Sequence, residues 1–173
     1  EKHPGGKTVR TLVLTPTREL AAQVFENVKE YSEFLNLKSA VIFGGVNQNP
    51  QIRALKSGVD ILIATPGRLM DLHQQKALSL HQVEILVLDE ADRMLDMGFL
   101  RDIKKILALI PKKRQNLLFS ATFSKEIKKL ASDFMHQPIL VEATPENTTV
   151  DQINQTAYAV DKKKKKDAII DLI

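Results

Sequence analysis

Two adjacent acids, Asp89 and Glu90, close the apolar run Ile85-Leu86-Val87-Leu88. Carboxylates at the end of such a run are costly to leave buried and unpaired. A hydrated Mg²⁺ carrying substrate phosphates would relieve them, because that ion prefers oxygen ligands and keeps several of its waters. In that chemistry Asp89 holds the metal through its water shell, and Glu90 orients and deprotonates an attacking water. The alternative is local. Acids at a helix start favour the helix dipole, so the pair could simply cap a helix beginning at Ala91.

Other polar residues follow apolar runs in the same way. Pro16-Thr17-Arg18-Glu19 follows the run ending at Leu14, and Thr65-Pro66-Gly67-Arg68 follows the run ending at Ala64. Arg18 and Arg68 each fall in the first turn of an expected helix, where the dipole disfavours a cation. Two such arginines form a track for a phosphodiester backbone; an ion pair between Arg18 and Glu19 is the competing reading. Gly44-Gly45 ends another run. It is either an ordinary turn or a place where a phosphate meets exposed backbone N–H groups. Ser120-Ala121-Thr122 offers hydroxyls that can bond a carboxylate and relay a change of state, or cap a helix from Ser124. Gly6-Lys7-Thr8 spells the end of a phosphate-binding loop, but Glu1 stands where that loop needs glycine, and a strand rather than a helix follows. A plain loop is expected there.

The elements that must hold these residues alternate. Strands are expected at 10–14, 39–43, 60–64, 85–88, 115–119 and 138–142, with a further extended segment over 153–160. Helices are expected from Thr17, with Leu20, Val24, Val28, Tyr31 and Leu35 as one buried stripe, over 51–56, from Pro66 through about Gln74, and from Ala91 to an interruption at Gly98. Leu100, Ile103, Ile106, Leu107 and Ile110 mark another helix, ended by Pro111, and a last one follows Ser124 with Leu130 and Phe134 inward. Lys112, Lys113 and Arg114 are expected as a solvated turn. The alternation predicts an α/β fold with a mostly parallel sheet flanked by helices on both faces, its crossovers right-handed. In such sheets ligands bind beyond the carboxyl ends of the strands, where Asp89 and Glu90 fall.

Composition narrows the classes. The chain has 173 residues, 43% hydrophobic, which suits one domain with part of a second. It has no cysteine, and its four histidines lack ligand spacing, so disulfide and zinc chemistry are not expected. The net charge of +4 owes its sign to the lysines at 162–166, so nucleic acid would have to be recognised by local sites. No apolar stretch approaches a membrane span and no signal peptide leads the chain, which points to the cytoplasm. The start at Glu1 and the stop at Ile173 inside an apolar pattern are expected to be truncations.

Taken in order, Pro16-Thr17-Arg18-Glu19-Leu20, Gly44-Gly45, Thr65-Pro66-Gly67-Arg68, Asp89-Glu90-Ala91-Asp92 and Ser120-Ala121-Thr122 make a series that resembles the first RecA-like domain of DEAD-box ATP-dependent RNA helicases. The wording around Asp89 and Ser120 looks most like the bacterial RhlE-like branch. The resemblance covers about 9–160. It implies ATP and Mg²⁺ at Asp89 and Glu90, and coupling of nucleotide state to RNA strand separation through Asp92, Ser120 and Thr122. It also implies sequence-independent contacts of RNA backbone with Pro16, Thr17, Arg18, Gly44, Gly45, Thr65, Gly67 and Arg68. The implied division is 1–160 as a partial first RecA-like domain, and 161–173 as a linker and the start of a second RecA-like domain in the same parent chain. The family's P-loop strand and adenine-reading segment would lie upstream of the first strand, and its arginine finger downstream. The piece by itself is therefore expected to lack turnover, and to be less stable for a gap in the sheet between 115–119 and 138–142. A non-catalytic RNA-binding module and a related DNA helicase are the alternatives; an upstream P-loop would exclude the first, and preferential stimulation by RNA the second.

Overall fold

The computed structural model describes residues 8–142, 159–161 and 164. Five short strands carry the fold: β1 (Thr11–Leu14), β2 (Ser39–Ile42), β3 (Ile61–Ala64), β4 (Ile85–Leu88) and β5 (Gln115–Leu118). Their order in the sheet is β2-β3-β1-β4-β5, and each pair is parallel. Thr11 faces Ile61 on one side and Ile85 on the other, which makes β1 the centre of the sheet. Leu12, Leu14, Leu62, Ile63, Leu86 and Leu88 are fully buried, as the unbroken apolar runs require of a sheet covered on both faces.

The strand order decides which face each helix covers. A right-handed crossover from β1 leftward to β2 puts α1 (Arg18–Tyr31) on one face. The rightward steps from β2 to β5 put α2 (Asn49–Lys56), α3 (Pro66–Gln74), α4 (Ala91–Asp96) and α5 (Leu100–Leu109) on the other. Side-chain packing agrees. Ala21, Val24, Phe25 and Val28 of α1 meet Val13 and Ile63, whereas Leu69, Met94, Ile103 and Ile106 join Leu12, Leu62, Leu86 and Leu88. Ile127 and Leu130 of α6 (Lys125–Phe134) join this second, larger cluster. Beyond β4 the α1 face is thinly covered: Leu117 is 37% exposed and Phe119 55%.

Two expectations fail. Tyr31 and Leu35 do not continue the buried stripe of α1; they are 80% and 57% exposed. A four-residue strand spans about 13 Å and a fourteen-residue helix about 21 Å, so the last turn of α1 overshoots the sheet. The helix ends at Tyr31, where the Ser32 hydroxyl donates to Val28 O, and Leu35 lies beyond it. Residues 138–142 form no strand, and Ile139 and Val141 are 91% and 82% exposed. A strand exists through its ladder partners, and among the described residues none pairs with this segment. The chain divides into compact units at Gln137/Pro138, of which the first holds the sheet. The loop at Gly6-Lys7, the extended segment expected over 153–158, and most of the lysine run lie outside the described residues.

Candidate nucleotide and nucleic-acid site

One rank of backbone hydrogen bonds aligns the strand ends. Thr15 N–H donates to Ala64 O (3.0 Å), Thr65 N–H to Ile42 O (3.1 Å), Asp89 N–H to Leu14 O (2.9 Å) and Phe119 N–H to Leu88 O (2.8 Å). The residues following β1, β2, β3, β4 and β5 therefore emerge along a single edge of the sheet. Thr8, by contrast, leads into a strand, β1, and not into a helix.

At the centre of that edge β4 turns into α4. Glu90 makes the turn in the left-handed region, φ 49° and ψ 54°, which costs a residue with a Cβ about 1–2 kcal/mol. The turn is held from both sides: Ala91 N–H donates to Phe119 O (3.0 Å), and Glu90 N–H donates to Asp89 Oδ1 (3.1 Å). The Glu90 carboxylate meets Arg93 Nη1 at 3.2 Å, one turn along the helix. Burial pushes the Asp89 carboxyl above its ordinary value; the Glu90 N–H bond opposes this and the Glu90 charge adds to it. A half-buried carboxyl beside a second acid is relieved by a cation, and an all-oxygen pair suits Mg²⁺ held largely by water and phosphate. Among the described residues no group of three or more His, Cys, Asp or Glu is placed to hold a metal ion.

Asp92 points across to the end of β5. Its Oδ2 accepts from Thr122 Oγ1 at 3.1 Å, and the Ser120 hydroxyl donates to Thr122 O at 2.8 Å. Burial would raise the Asp92 carboxyl. Hydrogen bonding from Arg93 N–H and Thr122 outweighs that and holds it below its ordinary value. The competing cap is also present, since Ser124 accepts from Ile127 N–H at 3.3 Å. The cap is thus made by Ser124 rather than by Ser120 or Thr122, and the carboxylate bond by Thr122.

The other expected residues lie on the β1, β2 and β3 side of the edge. Thr17 caps α1 by accepting from Leu20 N–H (3.2 Å), and Pro16 before it is buried. Arg18 is exposed and paired with Glu19 at 3.3 Å, so the ion-pair reading of this arginine is realised, and its outer surface stays open. Gly44 and Gly45 are exposed, and a Cβ built on either meets nothing within 4 Å. Gly45 has φ +78°, which favours glycine. Thr65 is buried at the start of α3, whereas a Cβ on Gly67 would stand in open space. Arg68 departs from a free phosphate ligand: its side chain is only 11% exposed. Nη1 donates to Gln51 Oε1 (3.1 Å), Nη2 to Val46 O (3.1 Å), and Nε lies 3.7 Å from Asp71.

Arg93, Gln51 and Asp71 are absent from the sequence-based set. Arg93 and Asp71 were within reach, as each stands three residues from an oppositely charged partner on one helix face. Gln51 left a fainter signal, an amide four residues before Leu55 on the inward face of α2.

Comparison with known proteins bears on this arrangement. The family model described as DEAD/DEAH box helicase matches residues 3–130. The chain is 42% identical over 166 residues to the DEAD-box ATP-dependent RNA helicase CshA of Streptococcus pneumoniae, covering 96% of this chain and 32% of that one. It is 42% identical over 167 residues to the ATP-dependent RNA helicase RhlB of Xanthomonas axonopodis, covering 95% and 29%. A solved DEAD box protein from the hyperthermophile Methanococcus jannaschii superposes with a TM-score of 0.71 at 45% identity, over 75% of this chain and 36% of that one. The chain thus spans about a third of the length of the curated relatives it matches.

Proposed function

This chain belongs to the DEAD/DEAH box helicase family, and we propose that it is part of an ATP-dependent RNA helicase that couples ATP hydrolysis to the separation of short RNA duplexes. The observation that carries the reading is the Thr122–Asp92 hydrogen bond of 3.1 Å. It ties the strand end bearing Asp89 and Glu90 to the next strand end, so that a change at the acids is felt along the edge.

Asp89 would hold Mg²⁺ through water, and the ion would offset the charge of the phosphates it carries. Glu90 accepts the proton of the attacking water, its carboxylate oriented by Arg93. Asp92, Ser120 and Thr122 transmit the nucleotide state. Pro16, Thr17, Arg18, Gly44, Gly45, Thr65 and Gly67 form the side that meets the RNA sugar-phosphate backbone, largely without regard to sequence, and the largely covered Arg68 belongs to the same RNA-binding side. Residues 1–160 are assigned to a partial first RecA-like domain, and 161–173 to a linker entering a second. Among the described residues no helix is long and apolar enough to cross a membrane, and the proposed site of action is the cytoplasm. Placement in the RhlE-like branch rests on the wording around Asp89 and Ser120 alone.

RNA-stimulated phosphate release tests the reading. The full-length protein is expected to release phosphate with RNA and much less with DNA, and Glu90→Gln should abolish release while ATP still binds. The 173 residues alone are expected to release none, because the acids act on a phosphate that another segment must cradle. Equal stimulation by DNA would favour the DNA helicase, and no release from the full-length protein would favour a binding module.

A further inference from the structure

Gln51 is 9% exposed, a buried polar side chain on a helix that otherwise turns Leu55 inward. Its amide nitrogen donates to Phe43 O (3.1 Å) and its amide oxygen accepts from Arg68 Nη1 (3.1 Å). Chemistry leaves no choice of orientation, since a carbonyl only accepts and a guanidinium only donates. Arg68 Nη2 in turn donates to Val46 O (3.1 Å). Phe43 and Val46 are the residues on either side of Gly44-Gly45. Two side chains, from α2 and from the first turn of α3, thus grip the glycine turn by the carbonyls that bracket it.

The turn held in this way is open outward. Gly44 and Gly45 are exposed with no atom near a Cβ position, and their amides make no hydrogen bond within the described residues. Arg68 is less open: its side chain is 11% exposed, and each terminal nitrogen already donates one hydrogen bond inward, to Gln51 and to Val46 O. At this corner a ligand finds exposed glycine backbone beside a guanidinium that is largely covered.

We propose that Gln51 is a positioning residue of the nucleic-acid interface: it locks Arg68 against Val46 O, and Arg68 contributes to binding by fixing the Gly44-Gly45 turn rather than by contacting phosphate. The proposal rests on the RNA-backbone reading of this edge. Only a side chain with a donor and an acceptor at one end, at this length, does the task. Gln51→Met keeps the bulk and removes both bonds.

The test is a double-mutant cycle on RNA affinity, read in the full-length protein by fluorescence anisotropy with a labelled oligouridylate. Gln51→Met and Arg68→Ala are each expected to weaken binding about tenfold, and the double variant no more than the weaker single, because both loosen one turn. Effects that multiply to about a hundredfold, or wild-type affinity in Gln51→Met, would overturn the proposal. A wild-type measurement serves if Gln51→Met does not fold. In ¹⁵N spectra, RNA should shift the Gly44 and Gly45 amides and leave the Arg68 Nε–H in place. An Arg68 shift without the glycines would overturn it. Absence of RNA binding by the wild type would defeat the underlying reading as well, which separates the two failures.

Discussion

The hydroxyl of Thr122 reaches the carboxylate of Asp92 at 3.1 Å, joining residues that lie thirty apart in the chain. The bond spans from Thr122, four residues past β5, to the first turn of α4. A carboxylate so placed senses displacement of either element.

Thr122→Val removes that bond and should cost about 0.5–1.5 kcal/mol at neutral pH, the usual worth of one hydrogen bond. The sign with pH follows from the depressed Asp92. Its contribution is present above the unfolded value and is lost as pH falls through the folded one. The gap between wild type and Thr122→Val in thermal denaturation should therefore close on acidification. In the full-length protein the same variant should lose more strand separation than phosphate release; equal losses would deny Thr122 a coupling role.

Asp89→Asn should stabilise the fold at neutral pH. Asp89 is raised by burial, so the native state binds its proton more tightly than the unfolded chain does, and stability falls as pH rises through the folded value. The Asn variant escapes that cost. Its advantage should be full at neutral pH and vanish once the acid is protonated in both states, while phosphate release by the full-length protein is lost. A variant that melts lower at neutral pH would mean that Asp89 already has a compensating partner.

Glu90→Gly and Glu90→Ala separate strain from chemistry. Both remove the carboxylate and its contact with Arg93, but only glycine is at ease at φ 49°. Glu90→Gly is expected to be about 1 kcal/mol more stable than Glu90→Ala by denaturant titration, and neither should support turnover. Equal stabilities would show that the turn relaxes out of the left-handed region.

Gly44→Ala and Gly45→Ala make a similar pair at the RNA side. Each Cβ would enter open space, yet Gly45 alone has a positive φ. Gly45→Ala should lower stability by about 1 kcal/mol and Gly44→Ala should leave it nearly unchanged. If RNA backbone packs against the turn, both weaken RNA binding. Unchanged affinity in Gly44→Ala would move the contact elsewhere.

What the sequence made legible was whatever a short stretch decides by itself. Ile85-Leu86-Val87-Leu88 is long enough for a strand and too short for a helix, so the position of Asp89 and Glu90 at a strand end could be read directly. The cap at Thr17 follows from local hydrogen bonding and was equally readable. The conformation of Glu90 was not, because nothing local favours a left-handed glutamate; neighbouring Phe119 O and Asp89 impose it. Arg68 lies in the first turn of α3, as the Thr65-Pro66 start predicts, but its partners Gln51 and Val46 come from another part of the chain, and no spacing rule brings them together. Residues 138–142 have the apolar character of a strand, yet pairing is a property of two segments.

The central place of β1 has a consequence for how the chain acquires its shape. Thr11 pairs with Ile61 and Ile85 and with nothing nearer in sequence. On a ribosome this strand must wait for both of its neighbours until β3 and then β4 have been made. Its apolar Leu12-Val13-Leu14 stays open to water or to a chaperone throughout. Closure of loops that long precedes any reward from the sheet, so assembly is expected to be slow for a chain of this size. Once in place, the same strand is flanked on both sides, and its amide protons should be among the last to exchange with solvent.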